Sequence, residues 1–329
     1  MRPVILAVSL LLSVSSSVAS AQLTKMTVGY SAMTSAHLPA WLAKETGIFA
    51  KNGLDVQLVY VRAGTTVVMA LLSNQSQISQ VGGSSIVGAS LRGAEAVMIA
   101  GGIATSEFWL MSRPEIKTAE QLKGGSVAIS VFGGTGDSFA RITLKRVGLT
   151  PVRDVALVQI GDGPERLSAL EKGKVQAAIL TTPDVFIAQK KGFYTLVNVI
   201  LPYQTTSVAT TRRFIRESPD IVRRYVKSQI EAVHGIKTDR VTGMSVLMKY
   251  LGSLDKEILE RTYDRTSADE KLSPKQYPSL EGIKNILEAL AEKDPKAKAA
   301  KPEDFVDVRF IKELDESGFI DELYKTGKR

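Results

Sequence analysis

Residues 113–180 read RPEIKTAEQLKGGSVAISVFGGTGDSFARITLKRVGLTPVRDVALVQIGDGPERLSALEKGKVQAAIL, and their rhythm decides the fold. Short apolar runs at 126–130, 155–160 and 176–180 have the length and bounding loops of buried strands. Between them, 135–147 and 164–172 repeat apolar residues at helical spacing. Gly148 and Gly173 each follow a helical run and precede a strand-like one, where a left-handed C-cap suits a residue without Cβ. Thr118-Ala119-Glu120-Gln121 has the spacing of a capping box.

The same alternation extends to both sides. Upstream, strands are expected at 26–31, 55–61, 77–81 and 96–100, with helical spacing over 38–49, 65–73 and 84–92. Pro39 suits the first turn of the first helix. Downstream, a helix at 183–191 leads into a strand at 194–199. Repeated βα units imply mostly parallel sheets with helices on both faces, an α/β fold. From about Arg212 the chain becomes mostly helical and charged, broken by Pro219, Pro274, Pro278, Pro295 and Pro302.

Composition narrows the chemistry. At 329 residues the chain suggests two domains, and 44% hydrophobic residues are enough to offset the entropy of ordering. Cysteine is absent, which removes disulfides, a thiolate nucleophile, zinc–thiolate sites and iron–sulfur clusters. The two histidines, His37 and His234, cannot build a His-rich metal site. No metal and no cofactor are expected. The formal charge is +8, from 42 basic and 34 acidic residues. The densest basic stretch, KDPKAKAAK at 293–301, has no aromatic residue to stack bases, so no nucleic-acid partner is expected.

Residues 1–21, MRPVILAVSLLLSVSSSVASA, carry a basic start, an apolar run too short to span a bilayer, and an A-x-A site. They predict a signal peptide cleaved after Ala21, with no cysteine there to take a lipid. Periplasmic localisation follows.

Each expected strand ends in a loop of small or hydroxylated residues that opens a helix: 31–35, 63–66, 82–85, 133–137, 161–163 and 181–183. Ligands of open α/β sheets bind outside the carboxyl ends of the strands, where helix N-termini offer unpaired N–H groups to an anionic or carbonyl oxygen. A purely structural account of these residues is that Ser, Thr and Gly cap helices and form turns well. Enzyme motifs mostly fail: there is no P-loop, and Gly134-Thr135-Gly136 lacks the third glycine of a dinucleotide fingerprint. Gly136-Asp137-Ser138-Phe139-Ala140, followed by Asp184 and His234, has hydrolase order. However, Ser138 lies too far past the strand for a nucleophile elbow.

The P-x-I-K-T-x-x-x-L-K-G entry at 114–124, the Gly-rich loop opening a helix and the A-L-x-x-G-x-V-x-A turn at 169–177 resemble the second lobe of substrate-binding proteins of ATP-binding-cassette importers. The group is the nitrate/sulfonate/taurine and thiamine-pyrimidine-precursor type. Thr46-Gly47-Ile48-Phe49 and Asn52-Gly53-Leu54-Asp55-Val56 extend the likeness to the N-terminal half. The resemblance implies the type II periplasmic-binding-protein fold: two Rossmann-like lobes joined by two crossing strands, with a ligand cleft between. Lobe one would hold 22–111 plus 207–329 and lobe two 112–206, with crossings near 108–112 and 205–210. It also implies a non-enzymatic receptor that captures a small organic or anionic ligand by hinge closure and delivers it, as a monomer, to a permease at the inner membrane. Carried over position by position, Ser31, His37, Gly64, Thr65, Ser84 and Ser85 would contact ligand from lobe one, and Thr135, Asp137 and Thr182 from lobe two. Tyr30, Phe132 and Tyr203 stand as candidates to flank a ring. A receptor that feeds a membrane signalling protein, or a periplasmic serine hydrolase, remain the alternatives. A related branch that makes a thiamine precursor uses cysteine, which this chain lacks.

Overall fold

The computed structural model describes residues 22–252, 254–291 and 294–326. The expected signal peptide, 1–21 with cleavage after Ala21, lies outside them. Ten strands form two five-stranded sheets. The first contains β1 (Thr24–Tyr30), β2 (Leu54–Tyr60), β3 (Ile78–Val81), β4 (Ala96–Gly101) and β10 (Ser207–Thr211), in the order β2-β1-β3-β10-β4. The second contains β5 (Thr105–Ser112), β6 (Ser126–Ile129), β7 (Ala156–Gln159), β8 (Ala177–Leu180) and β9 (Tyr194–Pro202), in the order β7-β6-β8-β5-β9. The two orders repeat one plan. In each sheet one strand beside the edge, β10 or β5, runs antiparallel to both of its neighbours, while the others share a direction. Those two strands are the first that the chain makes after crossing between sheets. The mostly parallel α/β architecture expected from the βα rhythm is present, as are the two lobes that the family resemblance implies.

The outgoing crossing falls earlier than expected, while the return overlaps the segment expected for it. The segment 108–112 reads as extended, which suited a crossing, but β5 is hydrogen-bonded on both sides. Leu110 pairs with Ile179 on β8 and with Val197 on β9. The whole of β5 therefore belongs to the second sheet, and the chain passes over at 102–104 and returns at 203–206. An extended, apolar segment looks the same whether it bridges two sheets or fills the middle of one.

Local signals held where the physics is local. Gly148 and Gly173 take φ of 81° and 66° at the ends of their helices. Thr118 N–H donates to Gln121 Oε1 at 3.1 Å and Gln121 N–H to Thr118 Oγ1 at 3.4 Å, closing the capping box. The helical stretch 38–49 is split: Gly47, at φ 74°, separates Leu38–Glu45 from Ile48–Lys51.

The C-terminal helices complete the core of the first lobe. Helix Pro219–Thr238 buries Tyr225, Ile230 and Val233 with Val28 and Trp41, and Trp41 stacks on Tyr250 at 4.6 Å. Each such side chain removed from water contributes about 1.5–3 kcal/mol. A second apolar cluster spans both lobes, joining Ile86 and Met98 to Phe108, Phe139 and Tyr203. Helix Leu280–Leu290 seals it with Ile283 and Ile286. A Cβ at Gly282 would stand 2.8–2.9 Å from the backbone of Tyr203 and Gln204, so this helix lies directly on the return crossing. No helix among the described residues is long and apolar enough to cross a membrane.

Candidate functional site

Strands β2, β3, β6 and β7 each run into a loop that starts a helix facing the other lobe. These helices are Gly64–Leu72, Gly83–Leu91, Thr135–Arg146 and Gly163–Glu171. Their first residues, or the residues just before them, line a cavity of about 140 Å³ between the lobes. That is room for a molecule of roughly benzene's bulk.

Three of the four helices start without a side-chain cap. Their N-cap residues are Ala63, Gly82 and Gly134, none of which caps through a side chain. Their positive dipole ends therefore face the cleft, although at Gly83–Leu91 the Gly83 N–H donates to the Gln204 carbonyl at 2.9 Å and the Ser85 N–H to the Gly82 carbonyl at 3.1 Å. The fourth is closed by a capping box, with Asp162 N–H donating to Glu165 Oε2 at 3.0 Å. A side-chain cap is thus present at Asp162, glycine takes the cap position at Gly82 and Gly134 without a side-chain bond, and Ala63 fits no capping preference. Thr65, Ser84, Ser85 and Thr135 sit inside the first turns rather than at the caps.

The lobes are closed over the cavity. Ser84 Oγ and Thr135 Oγ1 are 3.2 Å apart across it, as are Ser35 Oγ and Thr182 Oγ1. Tyr60 donates its hydroxyl to Asp162, and Arg62 meets Glu165 at 2.8 Å.

Six of the nine expected site residues line the cavity: Ser31, His37, Gly64, Ser85, Thr135 and Thr182. Ser84 stands behind, touching Thr135. Thr65 is the second residue of its helix and lies outside the lining. Asp137 is a correction. Its two carboxylate oxygens accept from Gly133 N–H at 3.0 Å and from Arg141 Nε at 2.8 Å, so it closes its own loop and turns no oxygen to the cleft. A carboxylate in a first helical turn satisfies nearby N–H groups, and an i+4 arginine completes its partners. The aromatic candidates are also placed elsewhere. Tyr30 packs on Trp41 and Tyr60, Tyr203 packs on Phe139, and Phe132 is half exposed; Phe108 is the aromatic ring on the cavity wall.

Sequence reasoning missed one wall entirely. Arg265, Thr266 and Lys271, from helix Lys256–Ser267 and the loop after it, line the cavity beside Glu107 of β5. The Glu107 side chain is 1% exposed and is held by Lys271, by Arg265 at 2.7 Å and by Asn198 at 3.1 Å. A carboxylate so buried needs such partners. Its signal was available, as the lone charge in TSEFWLMS. Arg265 and Lys271 had none, because in a charged helical segment any cation reads as solvated.

Four cations, Arg62, Arg166, Arg265 and Lys271, line the cavity against two anions, Glu107 and Asp162. Arg166 is buried and donates to the carbonyls of Ile179, at 2.8 Å, and Gly161. Next to it, burial pushes the carboxyl of Asp184 up to about 7, against the pull of Arg166. Burial holds the His37 imidazole down at about 3, which leaves it neutral.

The residues with hydrolase order are not assembled. Ser138 Oγ donates to the Gly134 carbonyl at 3.3 Å. His234 lies in helix Pro219–Thr238 with its ring edge-on to Tyr324, and its Nε2 has no partner. Among the described residues, no group of three or more His, Asp or Glu side chains is placed to hold a metal ion. The arrangement is suited to holding an anionic oxygen.

Residues 34–236 match the family described as NMT1/THI5 like. The chain is 23% identical over 263 residues to YtlA of Bacillus subtilis, an alignment covering 77% of this chain and 78% of that one. The alkanesulfonate-binding protein SsuA from Xanthomonas axonopodis pv. citri, solved bound to MOPS, superposes with a TM-score of 0.68 at 18% identity, over 86% of this chain and 96% of that one. The periplasmic nitrate-binding protein NrtA from Synechocystis PCC 6803 gives a TM-score of 0.71 at 13% identity, over 90% and 89% of the two chains. At such identities the likeness is one of fold, the periplasmic-binding-protein architecture.

Proposed function

The chain belongs to the NMT1/THI5-like family, and on that premise we propose that it is an extracytoplasmic solute-binding receptor for a small anionic organic ligand. One observation carries the proposal: three helix N-termini without side-chain caps, two from one lobe and one from the other, converge on a cavity between the lobes that four cations and two carboxylates line. An anion seated there takes N–H groups from both lobes at once, so it favours the closed arrangement over the open one. The lobes hinge at 102–104 and 203–206. The loaded, closed receptor then docks, as a monomer and without turnover, on an importer permease at the inner membrane. Export to the periplasm by the 1–21 segment suits that role. Alkanesulfonate, named for one of the solved proteins above, is an anion of this kind, and nitrate, named for the other, shares its anionic oxygens.

A thermal-shift screen of small sulfonates, carboxylates and pyrimidines tests this. A ligand at a hundredfold excess over Kd stabilises the native state by about 2.7 kcal/mol, and X-ray scattering with the same ligand should show compaction. The absence of any shift, or catalytic conversion of the hit, would overturn the proposal. Thr135→Ala adds a local check. It removes the hydroxyl that meets Ser84 across the cleft, so affinity should fall about two- to tenfold, the worth of one neutral hydrogen bond. The melting point of the ligand-free protein should not move.

A further inference from the structure

His37 occupies an unusual position in the cleft. It lines the cavity and is 1% exposed, yet neither Nδ1 nor Nε2 has a hydrogen-bond partner. Its ring lies against Tyr30 at 5.6 Å and Trp41 at 6.2 Å, which supply apolar contact. Two hydroxyls of the same wall, those of Thr266 and Ser35, are already engaged with one another. Thr266 Oγ1 meets Ser35 Oγ at 2.7 Å and the Thr262 carbonyl at 2.8 Å, and Ser35 Oγ meets Thr182 Oγ1. Buried polar atoms are almost always paired, so two orphan nitrogens on a cavity wall point to a partner that enters the cavity.

The ring's protonation state says what that partner must offer. Burial keeps the imidazole neutral, so one nitrogen donates and the other only accepts. An anion with acceptor oxygens alone can satisfy the N–H and leaves the second nitrogen unpaired. We infer that the ligand of this cleft carries a hydroxyl or N–H donor beside its anionic group, and that His37 is the residue that reads it. The inference rests on the proposed receptor function and narrows it from small anions in general to hydroxylated or aminated organic acids. Nitrate and plain alkanesulfonates fall outside that class.

Calorimetric titration with two matched pairs of probes tests it: ethanesulfonate against 2-hydroxyethanesulfonate, and propanoate against lactate. In the pair that binds, the hydroxylated member should bind roughly ten- to hundredfold more tightly, because a site built around a polar group rejects the analogue that leaves that group unpaired. His37→Phe should erase this preference, leaving the two members of the pair with similar, weaker affinities. His37→Asn, which keeps a donor and an acceptor, should retain part of it. The chain has only two histidines, so nitrogen-15 spectra of the wild-type protein give a readout without substitution: the hydroxylated probe should shift the His37 ring signals more than the plain acid does. Equal affinities within a pair, or a preference that survives in His37→Phe, overturn this inference and leave the receptor proposal standing. Failure of all four probes to bind overturns both the anionic-ligand proposal and this inference.

Discussion

Gly82→Val should lower ligand affinity about a hundredfold while leaving the melting point of the ligand-free protein within about 2 °C of the wild type. A Cβ at Gly82 would stand 2.3 Å from Thr135 Oγ1, on the opposite lobe, and 3.2 Å from the Thr205 carbonyl, on the return crossing. The backbone itself is unstrained, with φ −63° and ψ 137°, so the local cost is confined to the approach to the Thr205 carbonyl and is the smaller of the two. What it penalises is the closed state, since opening carries Thr135 away. Overpacking of this kind costs roughly 3 kcal/mol, and each ~1.4 kcal/mol is tenfold in Kd. Titration paired with X-ray scattering checks it: the variant should remain in the more extended form at ligand concentrations that compact the wild type. The Gly82→Ala/Thr135→Ala pair serves as the internal control, because without the Thr135 hydroxyl the nearest atom of that residue is its Cβ at 3.7 Å. It should bind more tightly than Gly82→Ala alone. A valine variant that binds as the wild type does would show that Gly82 and Thr135 need not meet for the ligand to be held.

Asp184→Asn should gain in stability on the wild type as pH rises from about 4 to about 7, because Asp184 loses stability over that range, while the buried, neutral His37 contributes an opposite slope to both proteins alike. Asp184 is 2% exposed, and its Oδ2 has no hydrogen-bond partner. Burial raises its carboxyl from 3.8 to about 7, with Arg166 opposing. The sign follows from linkage. A raised acid holds its proton in the fold at pH values where the unfolded chain has released it. The stability this contributes is fully present below about 3.8 and is lost as pH climbs through about 7. The full swing is about 4 kcal/mol. Asparagine in its place keeps the amide oxygen and does not titrate. Arg166 remains bonded to the carbonyls of Ile179 and Gly161, and a guanidinium does not titrate in this range, so any cost from its lost neighbour is a constant offset. Urea unfolding of both proteins at pH 4.5, 6 and 8 should therefore show the variant gaining on the wild type as pH rises. Two curves that stay parallel would mean that Asp184 is ionised throughout.

Much of the fold was legible because much of it is local. The runs at 126–130 and 176–180 became β6 and β8, and the glycines after their helices took the left-handed caps their positions implied. Pro39 stands in the first turn of Leu38–Glu45. The misplaced crossing shows where local pattern stops: nothing in Thr105–Ser112 says whether neighbours will bond to it on two sides or none. The site divides in the same way. Loop chemistry pointed to Gly64, Ser85, Thr135 and Thr182 because helix starts at strand ends share one edge of a sheet. It also pointed to Asp137, where the same first-turn chemistry serves the helix and not the cleft.

The sequence by itself determined the alternation of strands and helices and the sheet edge that carries the small-residue loops, because periodicity, caps and chain direction act over a few residues. Tertiary structure alone decided the back wall and the sign of the cleft. Glu107 is 158 residues from Arg265 and 164 from Lys271, and only the packing of the C-terminal helices onto the first lobe brings them together. Tertiary structure also decided that His37 is buried and unpaired. A side chain's hydrogen-bond partners depend on everything that surrounds it, and a segment of sequence specifies only its neighbours along the chain.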